Sequence, residues 1–149
     1  MTYSSIVVGT DGSPTAQRAV AQAAALAAAD GARLVVVTAY HEGDRPTDDV
    51  APDDLPEDIR HVLTDRVQAE ELVGSARDVA RAAGVSRTVV QALPGEPADA
   101  LLEAARDFDA DLIVVGSRGL DRHAHVILGS VAASVSHHAP CDVLIAHTT

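Results

Sequence analysis

Apolar residues in this chain fall into short β-branched runs, separated by longer stretches in which they recur every three or four positions. The first run is Ile6-Val7-Val8, inside a strand predicted over residues 5–10. It stops at Asp11-Gly12-Ser13-Pro14, where Ser13 is suited to cap a helix and Pro14 to begin it. Helical spacing follows over 15–29, with Ala19, Val20, Ala23, Leu26 and Ala27 on one face and a stop near Gly31. A second buried strand over 33–40 completes a βαβ unit. Residues 41–58 interrupt the pattern: Pro46, Pro52, Pro56, many Asp and no periodicity describe an acidic surface loop, either a lid or an ordinary insertion. Ile59, Val62, Leu63, Leu72, Val73, Ala76, Val79, Ala80 and Ala83 then return at helical spacing, up to Gly84. The remaining pattern predicts a strand over 86–92, a turn at 94–97, a helix over 98–107, a strand over 111–115, a helix from Ser130 and a last strand over 142–147.

Strands alternating with helices predict an α/β fold, a doubly wound parallel sheet covered on both faces with right-handed crossovers. No repeat or linker divides the chain, so residues 1–149 are expected to form a single domain. Sheets of this kind take ligands beyond the carboxyl ends of their strands, where the winding reverses. Periodicity alone leaves the strand order open. Asp11 ends the first strand and Gly116 the fourth, so if those two strands are neighbours their loops share one crevice.

Gly116-Ser117-Arg118-Gly119, then nine residues, then Gly129-Ser130-Val131, is the spacing that points to chemistry. Glycine turns through positive φ and puts no Cβ between backbone and anion, so glycines between a buried strand and a helix start can wrap a phosphate in N–H groups. The plainer alternative is that the glycines end a strand and start a helix, with nothing bound. Asp11 has the same two readings: a carboxylate for ribose hydroxyls, or a turn residue bonded to its own Gly12-Ser13 backbone.

Composition narrows the choice. Net charge is −11, and every one of the 11 cations is Arg. Without Lys there is no P-loop lysine, no Schiff base and no polybasic face for nucleic acid or anionic lipid. A bound phosphate must therefore rely on N–H groups, a helix N-terminus, or Arg118 and Arg122. No apolar run is long enough for a membrane span and no export signal opens the chain, which leads to the expectation of a cytoplasmic protein. Cys141 has no partner for an internal disulfide and reads as a small buried hydrophobe.

Three segments together resemble the universal stress protein family: Val7-Val8-Gly9-Thr10-Asp11-Gly12-Ser13, the glycine segment from Gly116 to Val131, and Ala139-Pro140-Cys141-Asp142-Val143-Leu144-Ile145. The likeness runs over essentially the whole chain. It implies a five-stranded sheet ordered 3-2-1-4-5, of the Rossmann-like adenine-nucleotide α-hydrolase type, and the ATP-binding branch, with Mg or Mn as a companion ion. Gly9, Thr10 and Asp11 would then lie near phosphate and ribose, Thr38 and Ala39 would meet adenine through backbone groups, and Gly116 would line the ribose. Ser117 and Arg118 belong to the same set, with Gly119, Gly129, Ser130 and Val131 holding the phosphates. The family also implies a homodimer through the last strand and an unknown regulatory protein partner. It often has Pro where this chain has Asp142, which bears on how that strand begins.

Three functions follow for testing: an ATP-dependent stress-response regulator, a weak ATP hydrolase, and a nucleotide-free dimeric adaptor. Hydrolysis needs a positioned base or a metal-activated water. Asp11, His123 and His125 are the only candidates in the motifs, and they make no recognisable catalytic set. His123 and His125, one residue apart, are a weak ligand signal and read as loop residues, so no catalytic or metal-binding residue is assigned.

Overall fold

Four of the five strands open on or close to the predicted positions because each carries a short apolar run, and in the three central strands that run is mostly β-branched and buried on both faces. The computed structural model describes residues 2–41, 66–117 and 129–147. In chain order these are β1 (Ser5–Gly9), α1 (Pro14–Asp30), β2 (Arg33–Tyr40), α2 (Arg66–Ala82), β3 (Thr88–Pro94), α3 (Pro97–Asp107), β4 (Leu112–Gly116), α4 (Ser130–His138) and β5 (Asp142–Ala146). The loop expected at 41–58 lies, beyond His41, outside the described residues, as does the 59–65 part of the helical pattern.

The strands form one parallel sheet in the order β3-β2-β1-β4-β5. Alternate side chains feed two cores. Ile6, Val8, Leu34, Val36, Leu112 and Val114 pack under α1 and α2. Val7, Val35, Val37, Ile113 and Val115 pack under α3 and α4. Each fully buried Val or Ile contributes roughly 1.5–3 kcal/mol, so small aliphatics supply most of what holds the sheet, with Tyr40 the one aromatic buried among the described residues. The helices approach closely because their inner faces are mostly Ala: Ala19, Ala23, Ala24 and Ala27 on α1, Ala100, Ala104 and Ala105 on α3.

Local signals act as expected around α1. Ser13 is its N-cap, with Oγ accepting from the Ala16 N–H at 3.1 Å, Pro14 opens the helix, and Gly31 closes it at φ 66°. The third strand is shifted two residues later than the spacing predicts, because Pro94 pairs with Tyr40 instead of turning the chain. β3 is an edge strand, where a residue without an N–H is tolerated. Pro97 correspondingly serves as the first residue of α3.

At the amino end of the sheet, Asp111 receives the N–H groups of Ser4 (2.9 Å) and Ser5 (3.0 Å) and the Ser4 hydroxyl. Burial pulls its pKa upward, but the bonds from Ser5 and Ser4 outweigh it and hold the carboxyl below its ordinary value. Asp142 begins β5 opposite Leu112 and accepts the Tyr3 hydroxyl at 3.0 Å. The strand start is thus anchored by a side-chain bond, and pairing proceeds regularly to Ala146. Cys141 is half-buried against the α3–α4 core, and burial, followed by the charges of Asp142 and Asp111, pushes its thiol pKa up, away from thiolate chemistry.

Candidate nucleotide crevice

β1 is flanked by β2, from which the chain winds outward to β3, and by β4, from which it winds outward to β5 in the opposite direction, so the winding reverses between β1 and β4. Their ladder stops at Val8↔Val114, although β1 runs on to Gly9 and β4 to Gly116. On the other flanks pairing continues, to Gly9↔Val37 and Gly116↔Ala146. The two central strands therefore part at their carboxyl ends, leaving an opening bordered by Gly9, Thr10 and Asp11 on one side and Gly116 and Ser117 on the other.

Hydrogen bonding fixes which backbone groups border this opening. Thr10 N–H donates to the Val37 carbonyl and Arg33 N–H to the Ser4 carbonyl, so the odd-numbered residues of β2 turn toward β1. Leu34 N–H donates to Arg87 and the Tyr40 carbonyl accepts from Gly95, so the even-numbered ones turn toward β3. Ala39 thus directs its N–H and C=O toward β1 but beyond its last residue, whereas the Thr38 backbone belongs to the β3 ladder and its side chain is buried. Gly9 has a packing role: a Cβ there would lie 3.1 Å from the Leu101 methyls.

The Asp11 turn makes the local bond that sequence alone offered as one of two readings. Asp11 Oδ1 accepts the Ser13 N–H at 2.9 Å, and Thr10 Oγ1 accepts the Gly12 N–H at 3.2 Å. Gly12 sits at φ +81° and lies against Leu72 of α2. Asp11 itself is exposed and lines a cavity of about 380 Å³ with Gln68, Glu71, Leu72 and Ser75 of α2. Thr38, Ala39, Gly116 and Gly129 are not among its lining residues.

The two halves of the glycine motif meet. Gly129 N–H donates to the Ser117 carbonyl at 3.0 Å, and Ser117 N–H donates to the Ala146 carbonyl at 2.9 Å. The Gly129 amide, one of those the family resemblance assigned to phosphate, is therefore engaged within the protein, as is the Ser117 amide. Gly129 is the N-cap of α4 at φ −63°, ψ 162°, its carbonyl taking the Ala133 N–H, and among the described residues no side chain caps the helix. The first-turn amides of Ser130 and Val131 carry the positive end of the helix dipole there. Arg118, Gly119, His123 and His125 lie outside the described residues. His137 and His138 occupy the last turn of α4, where His138 Nδ1 is 2.9 Å from the Ser134 carbonyl.

The α2 wall facing Asp11 escaped sequence reasoning. Leu72 registers only as one apolar position of a helix, and nothing local in Gln68, Glu71 or Ser75 relates them to a turn some sixty residues earlier. Only the packing of Leu72 on Gly12 brings them together.

A parallel α/β sheet that opens at its switch point beside a helix start defines a class of small-ligand-binding folds. Comparison with known proteins makes this specific. The family model described as "Universal stress protein family" matches residues 2–147, and the chain belongs to that family. It is 41% identical over 150 residues to universal stress protein Rv1636 of Mycobacterium tuberculosis, covering 99% of this chain and 98% of that protein. A universal stress protein solved in complex with cAMP is 37% identical, with a TM-score of 0.76 and 100% of both chains covered. A universal stress protein of Archaeoglobus fulgidus, solved in complex with dAMP, is 27% identical at a TM-score of 0.69, covering 97% of this chain and 98% of that one. No helix among the described residues is long and apolar enough to cross a membrane.

Proposed function

We propose that this chain is a nucleotide-dependent regulatory protein that holds ATP in the crevice between β1 and β4. The observation that carries the reading is the parting of these strands after Val8↔Val114, beside the start of α4. Phosphates would meet the Ser130 hydroxyl and the Ser130 and Val131 amides, with Arg118 and Gly119 completing the cradle. Ribose would lie against Asp11 and Gly116, and adenine would take the Ala39 backbone groups. Gly9, Thr10, Ser117 and Gly129 would shape the walls, and Thr38 would support Ala39 from the core. Among the described residues no three His, Cys, Asp or Glu gather around a metal position, so Mg or Mn accompanying ATP would be carried by the phosphates. The protein would act as a single domain in the cytoplasm, as a homodimer through β5, passing nucleotide occupancy to a protein partner.

A second reading, cyclic AMP, is favoured by one observation. With the Ser117 and Gly129 amides engaged, the described donors suit one phosphate better than three. A net charge of −11 also disfavours a polyanion over a monoanion. The relative solved with cAMP supports the same choice. Calorimetric titration with ATP and with cAMP tests both: tighter ATP supports the first reading, cAMP binding without ATP binding replaces it by the second, and heat from neither ligand removes both.

A further inference from the structure

We infer that the exposed face of α2 at Gln68 and Glu71 is a specificity element of the same site, reading ribose hydroxyls together with Asp11; this rests on the nucleotide reading above. The cavity shared by Asp11, Gln68, Glu71, Leu72 and Ser75 measures about 380 Å³, within the ~300–1,000 Å³ of small-molecule sites. Its lining has the make-up a sugar requires. Leu72 supplies an apolar floor for ring CH groups, and two carboxylates and an amide supply polar walls.

The division of labour follows from the Asp11 turn. Ser13 N–H takes up one acceptor site on Asp11 Oδ1 at 2.9 Å, so the turn itself leaves Oδ2 to meet a hydroxyl. A ribose with both hydroxyls free presents two donors. Glu71, exposed on the opposite wall of the cavity, supplies the second acceptor. The turn is held at a fixed distance from that wall because Gly12, at φ +81°, rests directly on Leu72, where a Cβ would come within 2.6 Å of Cδ2. Two carboxylates on this side also keep the polyphosphate away from it, toward α4.

The test compares ATP, 2′-deoxy-ATP and 3′-deoxy-ATP by calorimetry on the wild-type chain, Glu71→Ala and Asp11→Ala. The wild type is expected to bind ATP ~10-fold more tightly than either deoxy analogue, the size of one lost charge-assisted hydrogen bond. Glu71→Ala is expected to abolish discrimination against one analogue, and Asp11→Ala against the other. Glu71 is on the surface, so its variant is expected to unfold at the same urea concentration as the wild type. If Glu71→Ala leaves both ratios unchanged, or weakens all three ligands equally, the wall does not read the ribose. If the wild type binds none of the three, the nucleotide reading itself falls, and the α2 inference with it.

Discussion

Gly12 is the point at which the fold and the proposed site depend on one another, and Gly12→Ala measures that dependence. The residue adopts φ +81°, where an L side chain is strained by about 1–2 kcal/mol. Its Cβ would stand 2.6 Å from Leu72 Cδ2, well inside the ~3.5–4.0 Å of optimal carbon contact. Because Cδ2 is the end of a flexible side chain, Leu72 can move, and the added overpacking is set near the low end of its range, ~1 kcal/mol. Gly31→Ala is the control: φ is +66° and nothing lies within 4 Å of its Cβ, so it carries the backbone strain without the clash. Urea unfolding followed by circular dichroism should place Gly12→Ala about 1 kcal/mol below Gly31→Ala. In the double variant Gly12→Ala/Leu72→Ala the clash is removed, and the two single effects should fail to add by about 1 kcal/mol. Equal losses for Gly12→Ala and Gly31→Ala, together with additivity in the double variant, would refute the contact and with it the idea that α2 sets the position of the Asp11 turn.

Other expectations follow from the same geometry. Gly129→Val should leave the circular dichroism spectrum unchanged, because φ −63° suits any residue, yet reduce ATP binding at least ~10-fold by filling the space before α4; undiminished binding in calorimetry would remove Gly129 from the phosphate position. Asp111→Ala should lower stability by about 1–3 kcal/mol through loss of the Ser4 and Ser5 bonds. Since the folded-state pKa of Asp111 is depressed, its contribution is present above the ordinary carboxylate pKa and lost as pH falls through the folded value; urea midpoints of wild type and variant should converge on acidification. Tyr3 shows the opposite case, its phenol raised first by the bond to Asp142. That stability is present below the ordinary tyrosine pKa and lost as pH rises through the folded value, so Tyr3→Phe should flatten the alkaline decline in urea midpoint seen in the wild type.

Much of the architecture was legible because the signals are local. Continuous runs such as Leu34-Val35-Val36-Val37 announce strands buried on both faces, and Ser13, Pro14 and Gly31 bracket α1 by well-understood capping chemistry. Strand order is a non-local property and came only from family resemblance, which the sheet bears out. Pro94 misled the reading of β3 because a breaker in a central strand is acceptable on an edge. In the candidate site, the glycines marked the correct strand end and helix start, but the amide-to-carbonyl links from Gly129 to Ser117 and from Ser117 to Ala146 join distant segments and leave no sequence signature. The α2 wall was invisible for the same reason: Leu72 meets Gly12 only after both helices have packed on the sheet.

The central claim is that an adenine nucleotide occupies the opening between β1 and β4. Its most direct test is to purify the chain without added nucleotide, quench it in acid and analyse the supernatant by chromatography, then titrate the emptied protein with ATP. The account predicts adenine nucleotide released from the wild type, none from Gly129→Val, and saturable ATP binding by the wild type alone. A wild-type protein that releases no nucleotide and takes up no ATP would contradict it.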